Sequence, residues 1–507
     1  MTPLLLRATA VAITTAGAAA TTPLDRPMLG WSTWNTFACH VNATLMEQSI
    51  DALAASPLLA AGYNWVLLDD CWTTCARFKI GNSGACAEPG ARDAATGEIV
   101  VDPVKFPRGF APLTARAHEK GLRIGIYTSV SPVTCGGFVG SMRHEAVDAA
   151  SFVRWGFDMV KHDTCGHVVD DVHNGAMQAA VARMRDALWS SSNGTMVYYL
   201  DSGNPTSPQR VYNPRQIGVT DQESLKKLAI RPSELAWVWA LDAWANDTKG
   251  PHMLKSWFDR KDTWGSVLTN VHNQVRIAEF QRCGQFHMPD MLTIGMGGQS
   301  KAQYRAQFFL WAVLGAPLVM GNDIRDMDAT TVALVTAPEV LAVDQDADCV
   351  QGSLATAYGA TETWIKPLAD KTFAVVLLNK GDVPSNATVS MNSYDIGWAA
   401  GGDFFPAMFA AMRVRDLFAR KELGLFIDSF TTTVGPNDAA IFKFTPVLPA
   451  PGGTQWGTRA YHEPPPRPSS FAQTRWRCVN DMCVPATSGA ARIEDCADIC
   501  GEPALTV

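Results

Sequence analysis

Beyond its N-terminus, this chain lacks any apolar run approaching the roughly 18 to 20 residues that a membrane span requires. It is also short of positive charge: a formal net charge of −7 with no long basic block argues against nucleic acid or an anionic membrane surface as partner. A neutral substrate fits this balance better. Histidine is scarce, at 10 residues, and scattered; there is no H-E-x-x-H, and the cysteines form no convincing zinc spacing. Gly295-Met-Gly297-Gly298 lacks the spacing of a nucleotide loop. Neither a metal nor an organic cofactor is implied.

What is present is a 507-residue chain, 47% hydrophobic, which describes a well-packed protein of two or three domains. Residues 1–22 combine small and apolar residues with an Ala18-Ala19-Ala20 ending, the pattern of a secretory signal cleaved shortly afterwards. Twelve cysteines, an even number, agree with an oxidising compartment, and sequons at Asn42, Asn193, Asn246 and Asn386 offer glycan acceptors. The expected location is secreted, lysosomal or vacuolar, off the membrane once the signal is cleaved.

From about residue 28 to 345, strand-like apolar runs alternate with amphipathic helical stretches. Thr44-Leu-Met-Glu47 reads as a capping box; Met46, Ile50 and Leu53 follow at helical spacing, and Gly62 stops the helix before a strand over 63–68. A helix after Phe106-Pro107 runs to Gly121 and leads into a strand at 122–127; another over roughly 145–155 precedes a strand at 157–161. Further strands are expected at 196–200, just before Asp290, and at 317–320. Such repetition predicts a parallel sheet, and residues 23–350 suffice for a (β/α)8 barrel. Short strands at 362–366, 372–378, 387–391 and 439–444, separated by Gly, Pro, Asn and Asp, predict an antiparallel β-sandwich over 351–446. A proline-rich linker at 447–470 then leads to a cysteine-rich module at 471–507, too small to hold a core without disulfides.

The run Asp158-Met-Val-Lys161-His-Asp163-Thr-Cys165 places a lysine and a carboxylate two residues apart, hence on one face of a strand end. Trp65-Val-Leu-Leu-Asp69-Asp70-Cys71-Trp72 repeats the pattern, and Tyr127 ends the strand between. Lys161 can keep Asp163 ionised. Polar groups converging at one barrel mouth suit a polyhydroxylated ligand.

At these residues the chain resembles a known family, the retaining α-galactosidases and α-N-acetylgalactosaminidases of the melibiase type. The matches run through Gly30-Trp31-Ser-Thr-Trp34-Asn35, Leu68-Asp-Asp-Cys-Trp72, Gly125-Ile-Tyr127, Thr134-Cys135 and Lys161-His-Asp163-Thr-Cys165. They resume at Pro289-Asp290-Met-Leu, Ala316-Pro-Leu, Val343-Asp-Gln345-Asp346 and Thr363-Trp-x-Lys-Pro367, covering roughly two thirds of the chain. The C-terminal cysteine module lies outside the resemblance.

The resemblance implies hydrolysis of terminal α-linked galactose from a carbohydrate, with Asp163 as nucleophile. Lys161, Tyr127, Asp69 and Asp70 become sugar contacts and Trp34 an apolar wall. An oxocarbenium-like transition state needs an ionised carboxylate beneath the ring and a protonated acid at the leaving oxygen. The family's acid/base pattern aligns best with Lys255-Ser-Trp-Phe-Asp259, giving Asp259 that role, with Asp242 or Asp262 as alternatives. Lys255 replaces the family's arginine, and Asp201 stands where a glutamate reads the sugar's second carbon, one methylene shorter. Asp290 is the remaining carboxylate of the P-D-M motif.

The resemblance also pairs Cys39 with Cys71 and Cys135 with Cys165; Cys75 with Cys86 is a local guess, and nothing in the sequence favours pairing Cys283 with Cys349. The alternatives kept open are an α-N-acetylgalactosaminidase or another α-glycosidase of the same family, and a non-catalytic carbohydrate-binding relative. Self-association as a homodimer is also left open.

Overall fold

The computed structural model describes residues 23–81, 84–165, 176–201, 250–255, 259–391, 411–447, 475–479 and 482–486. Its first part is built on strands β1 (Leu29–Ser32), β2 (Trp65–Leu68), β3 (Arg123–Ser129), β4 (Met159–Asp163), β5 (Val197–Asp201), β6 (Met253–Lys255), β7 (Phe286–Met288) and β8 (Leu318–Met320). They form one 8-stranded sheet in the order β8-β1-β2-β3-β4-β5-β6-β7, every pairing parallel. The ring closes between β7 and β8 through Leu292, which donates its N–H to Val319 O at 2.7 Å and accepts from Gly321 N at 2.8 Å. The expected α/β barrel is what forms.

Helices α1 (Ala43–Ala55), α2 (Ala111–Glu119), α3 (Glu145–Arg154), α4 (Ala176–Ser192), α5 (Trp264–Gln274) and α6 (Lys301–Leu314) connect successive strands on the outside. The start of α1 differs from expectation. Asn42, in extended conformation, accepts from Leu45 N at 2.8 Å and caps the helix, so Thr44 falls inside the first turn and its capping box with Glu47 does not form. Ser56 and Pro57 end α1 before Gly62 is reached. Strand β4 also starts two residues later than expected. Asp158 belongs to the preceding turn, where its Oδ2 accepts from Ile124 N at 2.8 Å. The shift brings Asp163 into the strand itself. Strands β1 and β6, of four and three residues, are not among those the periodicity marks.

Strand alternation sorts the barrel into two cores. Trp65, Leu67, Met159, Val197, Tyr199, Met253, Phe286, Met288 and Val319 point inward and fill the interior, closed underneath by Leu24 and Met28 of the N-terminal segment. Val66, Leu68, Ile124, Ile126, Val160, Leu200 and Leu254 point outward against the helices. Met159, Met253 and Met288, long and unbranched, adapt to the irregular contacts of this interior.

The second part is antiparallel. Strands β9 (Ser353–Tyr358), β10 (Thr361–Pro367), β11 (Phe373–Asn379), β12 (Ser385–Ser390), β13 (Ala411–Asp416), β14 (Lys421–Phe426), β15 (Ser429–Val434) and β16 (Asp438–Val447) make a 6-stranded sheet, β9-β10-β11-β16-β13-β14, and a β12-β15 pair. Val375, Leu377 and Phe444 of the sheet pack against Val389 and Phe430 of the pair, giving the expected sandwich. An antiparallel hairpin joins Arg475–Val479 to Met482–Ala486. The expected signal, nearly all of the linker and the rest of the cysteine-rich module lie outside the described residues.

The two parts meet at a buried carboxylate. Glu362 of β10, 1% exposed, accepts from His272 Nε2 of α5 at 2.9 Å and Trp364 Nε1 at 3.0 Å, and pairs with Lys380 at 2.5 Å. Burial alone would raise its pKa, but His272 and Lys380 hold it down at about 2. A depressed carboxyl stabilises the fold above its unfolded pKa, and that stabilisation is lost as pH falls toward 2. Glu362→Gln should therefore cost about 3 kcal/mol at pH 7, a penalty that shrinks between pH 5 and pH 3, as read by urea unfolding at each pH.

Candidate active site

The C-terminal ends of the barrel strands carry the polar residues, because alternation that points Leu67, Met159, Val197 and Met253 inward also points Asp69, Lys161, Asp163, Asp201 and Lys255 inward one or two steps further along. Pairing register then sets them side by side. Tyr127 faces Lys161 across β3 and β4, Asp163 faces Asp201 across β4 and β5, and Asp201 faces Lys255 across β5 and β6. With Asp69, all six are buried, from 1% to 6% exposed.

Their charges alternate. Lys161 Nζ donates to Asp69 Oδ2 at 2.9 Å and lies 3.3 Å from Asp201 Oδ2. Lys255 Nζ donates to Asp201 Oδ1 at 3.1 Å and to Asp259 Oδ1 at 2.5 Å, and lies 3.9 Å from Asp290 Oδ2. Burial opposes the charge on each lysine, but Asp69 and Asp201 around Lys161, and Asp201, Asp259 and Asp290 around Lys255, hold both ammonium groups well above the usual lysine range.

Asp163 sits beside this ladder. Its Oδ2 accepts from Tyr127 OH at 2.9 Å and its Oδ1 from Thr164 N at 2.7 Å. Burial, and then the neighbouring charge of Asp201, push its pKa above the usual carboxylate range, while Lys161 and Lys255 pull the other way. Asp259 differs in being open: its side chain is 57% exposed at the rim. Its charge is nevertheless felt by both Asp163 and Asp290.

The other expected residues fall as follows. Trp34, half-buried in a single helical turn just after β1, packs against the interior core. Asp290, in a left-handed conformation at φ 75°, accepts from Arg260 N at 2.6 Å and Met291 N at 2.7 Å. Asp70 is bonded to backbone, and burial raises its pKa to about 6. Asp262 is committed elsewhere: it accepts from Gly298 N, Gln299 Nε2 and Tyr304 OH at 2.7 to 2.8 Å, pinning the loop after β7. Asp242 lies outside the described residues.

Sequence reasoning passed over two residues. Tyr199 points into the interior from β5, its ring 5.7 Å from Lys161 Nζ; its position two before Asp201 was the available signal. Arg260, 5% exposed, donates Nε to Met291 O at 2.9 Å and stacks over Trp311, and nothing in the sequence alone distinguishes it.

Disulfides Cys39–Cys71, Cys75–Cys86 and Cys135–Cys165 tie the rim loops, and Cys283–Cys349 joins the underside. Cys135, Asp163 and Cys165 are the one group of potential metal ligands among the described residues, and its two sulfurs are bonded to each other.

Residues 26–216 and 242–346 match the family described as alpha galactosidase A, and residues 358–444 match the alpha galactosidase C-terminal beta sandwich domain. Alpha-galactosidase 2 of Arabidopsis thaliana is 31% identical over 73% of this chain and 81% of its own length. Alpha-galactosidase A of Cellvibrio japonicus is 31% identical over 70% of this chain and 76% of its own. The crystal structure of alpha-galactosidase I from Mortierella vinacea superposes with a TM-score of 0.66 at 25% identity, covering 84% of this chain and 98% of that one.

Removing one member of a buried ion-pair ladder leaves its partners uncompensated. Lys255→Met should cost about 3 to 5 kcal/mol in urea unfolding at pH 7, whereas Lys255→Arg, which keeps the charge, should cost far less.

Proposed function

The chain belongs to the melibiase family of glycoside hydrolases, and on that premise we propose that the barrel mouth is the site of a retaining α-galactosidase. The observation that carries this reading is the row of inward-facing groups, in which a buried aspartate, Asp163, stands under a tyrosine hydroxyl beside Asp201, a carboxylate shared by two lysines. The substrate is a carbohydrate, and Asp69, Lys161, Asp201 and Lys255 offer the dense set of donors and acceptors that a hexose's hydroxyls need. Trp34 supplies an apolar wall at the same mouth, suited to a sugar's C–H face.

In the proposed reaction Asp163 attacks the anomeric carbon and the bond to the leaving oxygen breaks, giving a covalent glycosyl-enzyme. Asp259 delivers a proton to that oxygen, then removes one from the water that hydrolyses the ester. Exposure suits Asp259 to this exchange, because its proton must come from and return to solvent-accessible groups. Lys255 holds its carboxylate at the rim. Retention requires the two carboxyl groups about 5 to 5.5 Å apart.

Secretion through the N-terminal segment is part of the same proposal. The four disulfides among the described residues support an oxidising compartment. No helix among the described residues is long and apolar enough to cross a membrane.

The purified protein should hydrolyse an aryl α-galactoside faster than an aryl α-N-acetylgalactosaminide. Asp163→Ala should abolish turnover. Asp259→Ala should slow substrates with poor leaving groups far more than an activated aryl galactoside, which needs little proton assistance. Binding without turnover in the parent would reduce the protein to a carbohydrate-binding relative.

The pH profile gives a separate check. With Asp163 raised, the acidic limb of kcat/KM should lie above the ordinary aspartate range near pH 4. Asp201→Asn removes a negative neighbour, so the ionised form of Asp163 becomes easier to reach and the limb should move to lower pH.

A further inference from the structure

The stretch that carries Asp259 toward α5 alternates in burial: Asp259 is exposed at the rim, Arg260 is 5% exposed, and Lys261 is exposed again. The Asp259 carboxylate accepts from Lys255 Nζ, a donor it shares with Asp201. An ion pair that leaves one partner open to water fixes position weakly. The placement of this carboxylate therefore depends on the backbone behind it.

That backbone is held by the next residue. Arg260 N donates to Asp290 Oδ2 at 2.6 Å, which pins the peptide group joining Asp259 to Arg260. The Arg260 side chain runs inward and anchors the same point a second time. Its Nε donates to Met291 O at 2.9 Å, Nη2 donates to the same oxygen, and the guanidinium stacks over Trp311 of α6, 5.2 Å from the ring centroid. With its amide turned so that oxygen meets donors, Gln307, one turn earlier on α6, accepts from Nη1 at 2.8 Å and Nη2 at 2.7 Å.

The platform is itself tied to the barrel, since Trp311 Nε1 donates to Asp290 O at 2.9 Å. Burial lowers the Arg260 pKa to about 10, against the opposing charges of Asp290 and Asp262, so the guanidinium stays charged at neutral pH. A planar cation bonded along its edge and stacked on its face has one orientation, which a lysine could not reproduce. Its donors go to Met291 and Gln307, so it acts on the reaction through Asp259 rather than by touching the sugar.

We propose that Arg260 is a positioning residue for the acid/base: its buried guanidinium, held by Met291 O and the Trp311 ring, fixes the Asp259 peptide and so aims the exposed carboxylate at the leaving oxygen. This rests on the reading of Asp259 as the acid/base. The role confines the loss on substitution to proton transfer, because an alkoxide leaving group needs a well-placed acid and a dinitrophenolate needs almost none.

The test is kcat/KM, which reports the bond-breaking step, for methyl and dinitrophenyl α-galactosides. The full-length parent, Arg260→Met, Arg260→Lys, Asp259→Ala and the Arg260→Met, Asp259→Ala double variant are compared, each checked by thermal unfolding. Arg260→Met should lower the methyl galactoside value by about 100-fold, the scale of an acid misplaced by an ångström, and leave the dinitrophenyl value within about threefold of the parent. Arg260→Lys, which keeps the charge and the stem but not the planar fork, should show the same selective loss at smaller size, and carries the test if Arg260→Met fails to fold. In the Asp259→Ala background Arg260→Met should cost nothing further, because both act on one proton transfer. Equal losses on the two substrates, losses that multiply in the double variant, or full activity in folded variants would overturn the positioning role and leave the acid/base reading intact. An Asp259→Ala that handles the two substrates alike would instead overturn the acid/base reading, and the positioning role with it.

Discussion

Buried charge at the barrel mouth is the constraint on which the rest of this structure depends. A lone ammonium or carboxylate at 1% to 6% exposure would cost several kcal/mol and would shed its charge, so each of these groups persists only because a neighbour of opposite sign is fixed beside it. Asp69, Lys161, Asp201 and Lys255 form such a sequence, ending on Asp259 and Asp290. Parallel pairing holds the row together, because a one-residue slip of β4 or β5 would turn Lys161 or Asp201 toward the helices. An array already charged and oriented before substrate arrives is also what stabilises a developing positive charge at low reorganisation cost.

Two layers of support surround that row. On one side the rim loops are stapled by disulfides and brought to van der Waals distance by Gly136 and Gly137. On the other, the segment carrying Asp259 is anchored at both ends. Lys255 holds it from β6, and Asp262 ties it to the loop after β7 just before α5 begins. Helix α5 is gripped at its far end by Glu362 of the sandwich, so the second domain bears on the placement of the proposed acid/base without touching the mouth.

Much of this was legible in the sequence, and unevenly so. Periodicity located most barrel strands, and the spacing of Lys161 and Asp163 placed them on one face. It misplaced the start of α1, because Thr44 and Glu47 have the right spacing for a capping box while Asn42 reaches the free N–H of Leu45 first. It missed β1 and β6, and the sandwich strands β9, β13, β14 and β15, whose short or irregular alternation resembles loop. Tyr199 was readable from its spacing to Asp201; Arg260 was not, since its role comes from Met291 and Trp311, distant in sequence.

The sequence by itself determined the plan of a barrel followed by a sandwich and the lysine and carboxylate at 161 and 163, while the pairing of Cys39 with Cys71 and of Cys135 with Cys165 came with the family resemblance. These are local patterns or recognisable runs, and short-range periodicity preserves them. Only the tertiary structure decided that Asp201 is shared by two lysines, that Asp70 grips Gly136, and that Cys283 joins Cys349 across 66 residues. Each of these depends on strand register and loop closure, which bring together residues that carry no mark of one another along the chain.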